Sequence, residues 1–191
     1  MELDDKLTER MATLSVEAGR RILSVYERPD VAVREKDDRS PLTEADLISQ
    51  ECIAEGLARL TPDIPVVSEE SADETDAELY WLVDPLDGTK EFLRRNGEFT
   101  TNIALIRDGA PIAGFVHAPA LSRTWVGVVG DGAWSVDERG VREPLRCSDA
   151  STRDGALRAV TSRSHLDPAT EAFLRTVGER GFEVEAVPMG S

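Results

Sequence analysis

Cysteine is nearly absent: the 191 residues include two, Cys52 and Cys147, far apart and in no CxxC spacing. That excludes a disulfide scaffold and a zinc knuckle, and both thiols are expected to be buried. Aromatic residues are also scarce, at 5%, yet 40% hydrophobic and 31% charged residues is an ordinary globular balance, so the chain should fold. No apolar run approaches the ~20 residues of a membrane span. The N-terminal Met1-Glu2-Leu3-Asp4-Asp5 has neither the basic region nor the apolar run of a signal peptide. The expected compartment is the cytoplasm, without stable membrane insertion. Basic residues are outnumbered, 22 against 37 acidic ones, for a net charge of -15. Such a surface repels polyanions, so a nucleic acid polymer, DNA included, is excluded as the main partner. If the chain nevertheless handles phosphorylated substrates, a cation must stand between its carboxylates and theirs, and a divalent metal suits that role.

Leu3, Leu7, Met11, Leu14, Ala18, Ile22 and Val25 recur at helical steps and predict an amphipathic helix ending before Pro29. A polar connector, Arg34 to Ser40, leads to Thr43, a predicted N-cap for a second helix that carries Ile48, Cys52, Ile53, Leu57 and Leu60 and stops at Thr61-Pro62. Short β-rich runs follow at 64–67 and 80–83. Further strands are predicted at 100–106, 111–117, 124–129 and 133–136, joined by Asp108-Gly109 and Gly130-Asp131-Gly132 turns into an antiparallel meander. After a polar stretch at 149–154 a strand, a helix and a strand open an α/β unit. The expected class is α+β, with an N-terminal metal-binding domain over 1–148 and the start of a C-terminal α/β domain over 149–191. That second unit is expected to be incomplete, as in a truncated chain.

The sharpest local signal is Trp81-Leu82-Val83-Asp84-Pro85-Leu86-Asp87-Gly88-Thr89, an apolar strand delivering two carboxylates onto what is predicted to be a sharp turn. Pro85 donates no hydrogen bond, so the Leu86 carbonyl can turn towards the point that Asp84 and Asp87 address. Gly88 permits close approach, and the amides after it could receive a phosphate. Carboxylates held at the end of an apolar strand are costly unless paired, and a hard cation with oxygen ligands would offset that cost. Alone, Asp-x-x-Asp-Gly is equally well a turn with a solvated acid. Two further acidic places accompany it. Val66-Val67 ends in Ser68-Glu69-Glu70, and Thr43-Glu44-Ala45-Asp46 opens the second helix. Singly, each is more often a solvated strand end or a helix-dipole acid.

Together, Pro41-Leu42-Thr43-Glu44-Ala45-Asp46, Val67-Ser68-Glu69-Glu70-Ser71 and Trp81 through Phe92 resemble the three motifs of the inositol monophosphatase superfamily, in the right order. The resemblance implies the layered αβαβα sugar-phosphatase fold and lithium-sensitive, metal-dependent phosphatase activity. The stretch from Asp84 to Phe92 with Lys90-Glu91, followed by Arg95-Asn96-Gly97-Glu98-Phe99-Thr100, is similar to CysQ-type bisphosphate nucleotidases. Inositol monophosphatases have Thr-Asn at the Lys90-Glu91 position. Lys36-Asp37-Asp38 and Ser162-Arg163-Ser164-His165 point the same way.

The resemblance implies that Glu69, Asp84, the Leu86 carbonyl and Asp87 bind Mg2+, two or three ions in the complete family. Asp46 and Thr89 would align and deprotonate the attacking water, and Glu70 would be an outer metal ligand. Gly88, Thr89, Lys36, His165, Gly190 and Ser191 are the candidate substrate contacts. Lys90, Arg94 and Arg95 are weaker ones, and His117 is expected to be structural. The implied reaction is in-line removal of the 3'-phosphate from 3'-phosphoadenosine 5'-phosphate or its sulfated relative, as in sulfur assimilation. The implied partner is a small phosphorylated nucleotide, and a homodimer is compatible with the resemblance. The family also carries an aspartate in a Trp-Asp-x-Ala-Ala-Gly motif, whereas none of Trp81, Trp125 or Trp134 precedes Asp. One ligand is therefore expected to be lacking, with weakened metal binding and turnover. The alternatives are an inositol-1-phosphate or fructose-bisphosphate phosphatase of the same superfamily, or a catalytically dead fragment. An aspartyl-phosphate phosphatase needs its two acids two residues apart, not three.

Overall fold

The computed structural model describes residues 3–31, 33–35, 41–71, 74–147, 156–163 and 167–190. The chain divides into two compact units, Met1–Leu145 and Arg146–Ser191. In the first, helices α1 (Asp5–Tyr26) and α2 (Glu44–Leu60) pack on each other and on a sheet. The stripe Met11, Leu14, Ala18, Ile22 and Val25 is buried as its spacing predicts. Asp4 caps α1 by accepting from the Leu7 N–H at 2.7 Å. Each large apolar side chain so buried stabilises the fold by about 1.5–3 kcal/mol before chain entropy is counted.

The sheet has seven strands in the order β3-β4-β5-β6-β7-β8-β9. They are β3 (Val66–Ser68), β4 (Leu79–Asp87), β5 (Thr100–Arg107), β6 (Ala110–Ala118), β7 (Arg123–Val128), β8 (Gly132–Val136) and β9 (Arg142–Pro144). β3 runs parallel to β4, and from β4 onward all pairings are antiparallel, the expected meander. Trp81 anchors the sheet under α2, fully buried, with its indole N–H donating to Thr61 Oγ1 at 2.9 Å. The predicted connector after α1 also holds structure. There β1 (Val33–Glu35) pairs antiparallel with β2 (Pro41–Thr43), a three-residue ladder too short for periodicity to reveal.

A second apolar cluster supports the end of the sheet where the acids gather. Ile22, Val25 and Ala45 meet Leu86, Phe92 and Phe99. Tyr26 closes it, with ring centroids 5.2 Å from Phe92 and 4.9 Å from Phe99. The guanidinium of Arg95 lies 5.0 Å from the centroid of the Tyr26 ring.

The second unit contains β10 (Ala156–Ser162), α4 (Pro168–Glu179) and β11 (Glu183–Met189), with β10 and β11 parallel in an α/β unit. Asp167 caps α4 and Pro168 occupies its first turn. The cysteine expectation is half corrected. Cys52 is buried in α2, but Cys147 is exposed because it follows the solvent-facing strand β9. Among the described residues no helix is long and apolar enough to cross a membrane.

Candidate active site

The predicted sharp turn at Asp84-Pro85-Leu86-Asp87 is a correction: β4 continues through Asp87, and the chain turns only at Gly88, which has a left-handed φ of 91°. What the segment contains is a bulge. Asp84 pairs with Asn102 and Asp87 with Thr100, so Pro85 and Leu86 together face the single residue Thr101. On a regular strand residues i and i+3 point to opposite faces. One extra residue restores Asp84 and Asp87 to the same side. The neighbouring strand supplies the third acid, because the Glu69 N–H donates to the Val83 carbonyl at 3.0 Å and so seats Glu69 beside Asp84.

Burial pushes the Asp84 carboxyl up to about 8, reinforced by the charges of Glu69 and Asp87 and by a hydrogen bond with Glu69. A hydrogen bond between two carboxyl groups requires a proton, so in metal-free form this cluster retains a proton at neutral pH. Asp84 Oδ1 is also buried without a hydrogen-bond partner. Asp87 is held from the next strand by the Asn102 amide, whose Nδ2 donates to Asp87 Oδ2 at 3.2 Å. Among the described residues no three Asp, Glu, His or Cys side chains already close on one point. An orphaned buried oxygen and an all-oxygen donor set fit a hard divalent cation.

Asp46 is the third residue of α2 and is fully buried. It completes a capping box: its Oδ2 accepts from the Thr43 N–H at 2.8 Å and from the Thr43 hydroxyl at 2.6 Å. Its other oxygen, Oδ1, accepts from Thr89 Oγ1 at 3.3 Å, and that hydroxyl also lies 3.3 Å from the Leu86 carbonyl. Burial raises the Asp46 carboxyl above its ordinary value, while the bonds from Thr43 and Thr89 act in the opposite sense. The structure thus brings Asp46, Thr89, Leu86, Glu69, Asp84 and Asp87 to one end of the sheet. Glu70 follows Glu69, half-buried.

Lys36, His165 and Ser191 are outside the described residues, and Gly190 follows β11 in the second unit. Arg94 pairs with Glu91 of the short helix α3 (Thr89–Leu93) at 3.1 Å, and Arg95 donates to the Arg28 carbonyl at 2.5 Å. Both are thereby tied to the protein itself. His117 is buried and bonded to Thr124 at 2.9 Å, beside a cavity of about 570 Å³ between α1 and the β7–β8 hairpin that none of the clustered acids lines. Sequence reasoning missed Asn102, Ser49 and Thr101. The available signal was Thr100-Thr101-Asn102, three polar residues in a row at the start of an otherwise apolar strand.

The inositol monophosphatase family model matches residues 3–181. The chain belongs to the inositol monophosphatase family. Within the family it is 44% identical over 179 residues to the 3'(2'),5'-bisphosphate nucleotidase CysQ of Salmonella typhimurium, covering 91% of this chain and 70% of the relative. The Escherichia coli protein of the same name is 42% identical, with the same two coverages. The crystal structure of CysQ from Bacteroides thetaiotaomicron, a bacterial family member, superposes with a TM-score of 0.78 at 37% identity, covering 96% of this chain and 73% of that one. The mixed helix–sheet fold is therefore that of the family, and family membership implies a divalent-metal requirement.

Proposed function

We propose that this protein is a magnesium-dependent 3'(2'),5'-bisphosphate nucleotidase that removes the 3'-phosphate of 3'-phosphoadenosine 5'-phosphate or its sulfated form. The observation that carries the reading is the Glu69, Asp84 and Asp87 cluster with its orphaned Asp84 Oδ1, set beside the Asp46–Thr89 pair. Glu69, Asp84, Asp87 and the Leu86 carbonyl would hold Mg2+, with Glu70 in the outer sphere. When bound, the metal supplies an acidified water and neutralises charge on the phosphoryl group.

The chain's own residues provide orientation and a proton path. Thr43 supplies two donors to one Asp46 oxygen, which locks the carboxylate and leaves the other oxygen to accept from Thr89. With its proton committed to Asp46, the Thr89 oxygen presents a lone pair to an incoming water. Asp46, made more basic by burial, draws the proton through that hydroxyl. Water then adds in line as the ester oxygen departs, without a phosphoenzyme. Gly88, at the left-handed turn after β4, would meet the phosphate, with Lys36, His165, Gly190 and Ser191 as substrate contacts.

The nucleotide preference rests on Lys90-Glu91 and on the similarity to the CysQ relatives. A small phosphorylated nucleotide is the partner in this reading, and the cytoplasm is the compartment. The deciding experiment is phosphate release from 3'-phosphoadenosine 5'-phosphate and from inositol 1-phosphate, each with Mg2+ and with a chelator. Chelator-sensitive release from the nucleotide is expected. Preference for the inositol ester would overturn the substrate assignment, and release insensitive to chelation would overturn the metal assignment.

A further inference from the structure

The bulge in β4 takes the Pro85 carbonyl out of the ladder with β5, and two side chains replace the lost backbone partner. Ser49 Oγ, from α2, donates to the Pro85 oxygen at 2.8 Å, and Thr101 Oγ1, from β5, donates to it at 3.2 Å. Both donors are completely buried. One hydroxyl would satisfy a buried carbonyl. The second adds direction, since one donor comes from the helix layer and the other from the sheet. Pro85 has its φ set by its ring, so fixing its carbonyl leaves the peptide plane between Pro85 and Leu86 little freedom. The Leu86 carbonyl that follows lies 3.3 Å from Thr89 Oγ1, the hydroxyl that also bonds Asp46 of α2.

We propose that Ser49 and Thr101 act as positioning residues, a two-sided hydroxyl clamp on the Pro85 carbonyl that aims the Leu86 carbonyl and the flanking Asp84 and Asp87 carboxylates at a divalent cation. The inference rests on the metal-centre reading above. In this reading Ser49 and Thr101 are not themselves ligands, since both hydroxyls donate to the Pro85 carbonyl. They act through the backbone between two ligands, so their loss is felt as a misplaced donor set, in the manner of outer-sphere groups at other metal centres.

The test is Mn2+ binding to the whole chain, followed by electron paramagnetic resonance of the free ion, for the wild type, Ser49→Ala, Thr101→Val, Thr101→Ser and the double variant Ser49→Ala/Thr101→Val. Thermal melting of the metal-free proteins runs alongside. The double variant is expected to bind Mn2+ about tenfold more weakly or worse, each single loss less so, and Thr101→Ser like the wild type because it keeps the hydroxyl. Each single variant leaves one donor on the Pro85 oxygen, so the singles decide the matter if the double variant does not fold. A lowered metal-free melting temperature with unchanged Mn2+ affinity would show that the clamp only satisfies a buried carbonyl, and would overturn the proposal while leaving the metal centre standing. No Mn2+ binding by the wild type would overturn the metal-centre reading and the clamp with it.

Discussion

The hydroxyl of Thr89 and the Oδ1 atom of Asp46 lie 3.3 Å apart across 43 residues of sequence. The pair joins the first turn of α2 to the turn beyond β4, and the capping box on the other Asp46 oxygen keeps it in register. Thr89→Val preserves shape and removes the proton relay. Its kcat should fall by about 100-fold or more. Initial rates over a substrate series check this, and a Thr89→Ser variant should recover most of the loss.

Asp84 gives a stability prediction with a definite sign. Its carboxyl is raised from 3.8 to about 8 by burial and by Glu69 and Asp87. Between those values the folded chain holds a proton that the unfolded chain has released, so metal-free stability should fall as pH rises through that window. Asp84→Asn should flatten the slope and raise the melting temperature at pH 8 in chelator, while abolishing turnover. Urea unfolding of both proteins at several pH values reads the difference. An unchanged slope would mean that Asp84 is not the proton holder.

His117 produces the opposite slope at lower pH. Burial, together with the nearby Arg20 charge, lowers its ring from 6.5 to about 4. Its contribution is fully present above 6.5 and is lost as pH falls towards 4, since the unfolded chain then binds a proton that the folded chain refuses. The loss from this group is on the order of 3 kcal/mol. Ring-proton NMR should find one of the two histidines still neutral at pH 5.

Gly19→Ala should destabilise the fold, although alanine is intrinsically favoured over glycine in a helix by about 1 kcal/mol. A Cβ there would lie 2.7 Å from His117 Nε2 and 3.0 Å from Pro119 Cγ, and moving the His117 ring aside would disturb its bond to Thr124. A net loss of about 1–2 kcal/mol follows, a fall of a few degrees in melting temperature. Gly178→Ala in α4 is the control. A Cβ there has nothing within 4 Å, so that variant should be neutral or slightly stabilising.

Much of this protein was readable from local pattern. The stripe Met11, Leu14, Ala18, Ile22 and Val25 predicted α1, Thr43 predicted the start of α2, and the turns at Asp108-Gly109 and Gly130-Asp131-Gly132 predicted the meander, because helix periodicity, capping and positive-φ turns are properties of neighbours in the chain. The residue types of the site were equally readable, since hard-cation chemistry requires oxygen donors and the three motifs carry them. Tertiary structure alone decided how they meet. Asp84 and Asp87 share a face only because a bulge inserts one residue opposite Thr101, and that bulge exists only in the pairing with β5. Glu69 reaches Asp84 through a parallel pairing of β3 that no turn signal announces. The partners of Ser49, Thr101 and Asn102 were not legible, even though Thr101 and Asn102 stand out as polar residues in an apolar strand, because a hydroxyl or amide takes its function from the atom it faces, and here that atom lies 36, 16 and 15 residues away. Local sequence can encode a helix or a turn. The direction of a carbonyl depends on partners that only the folded chain assembles.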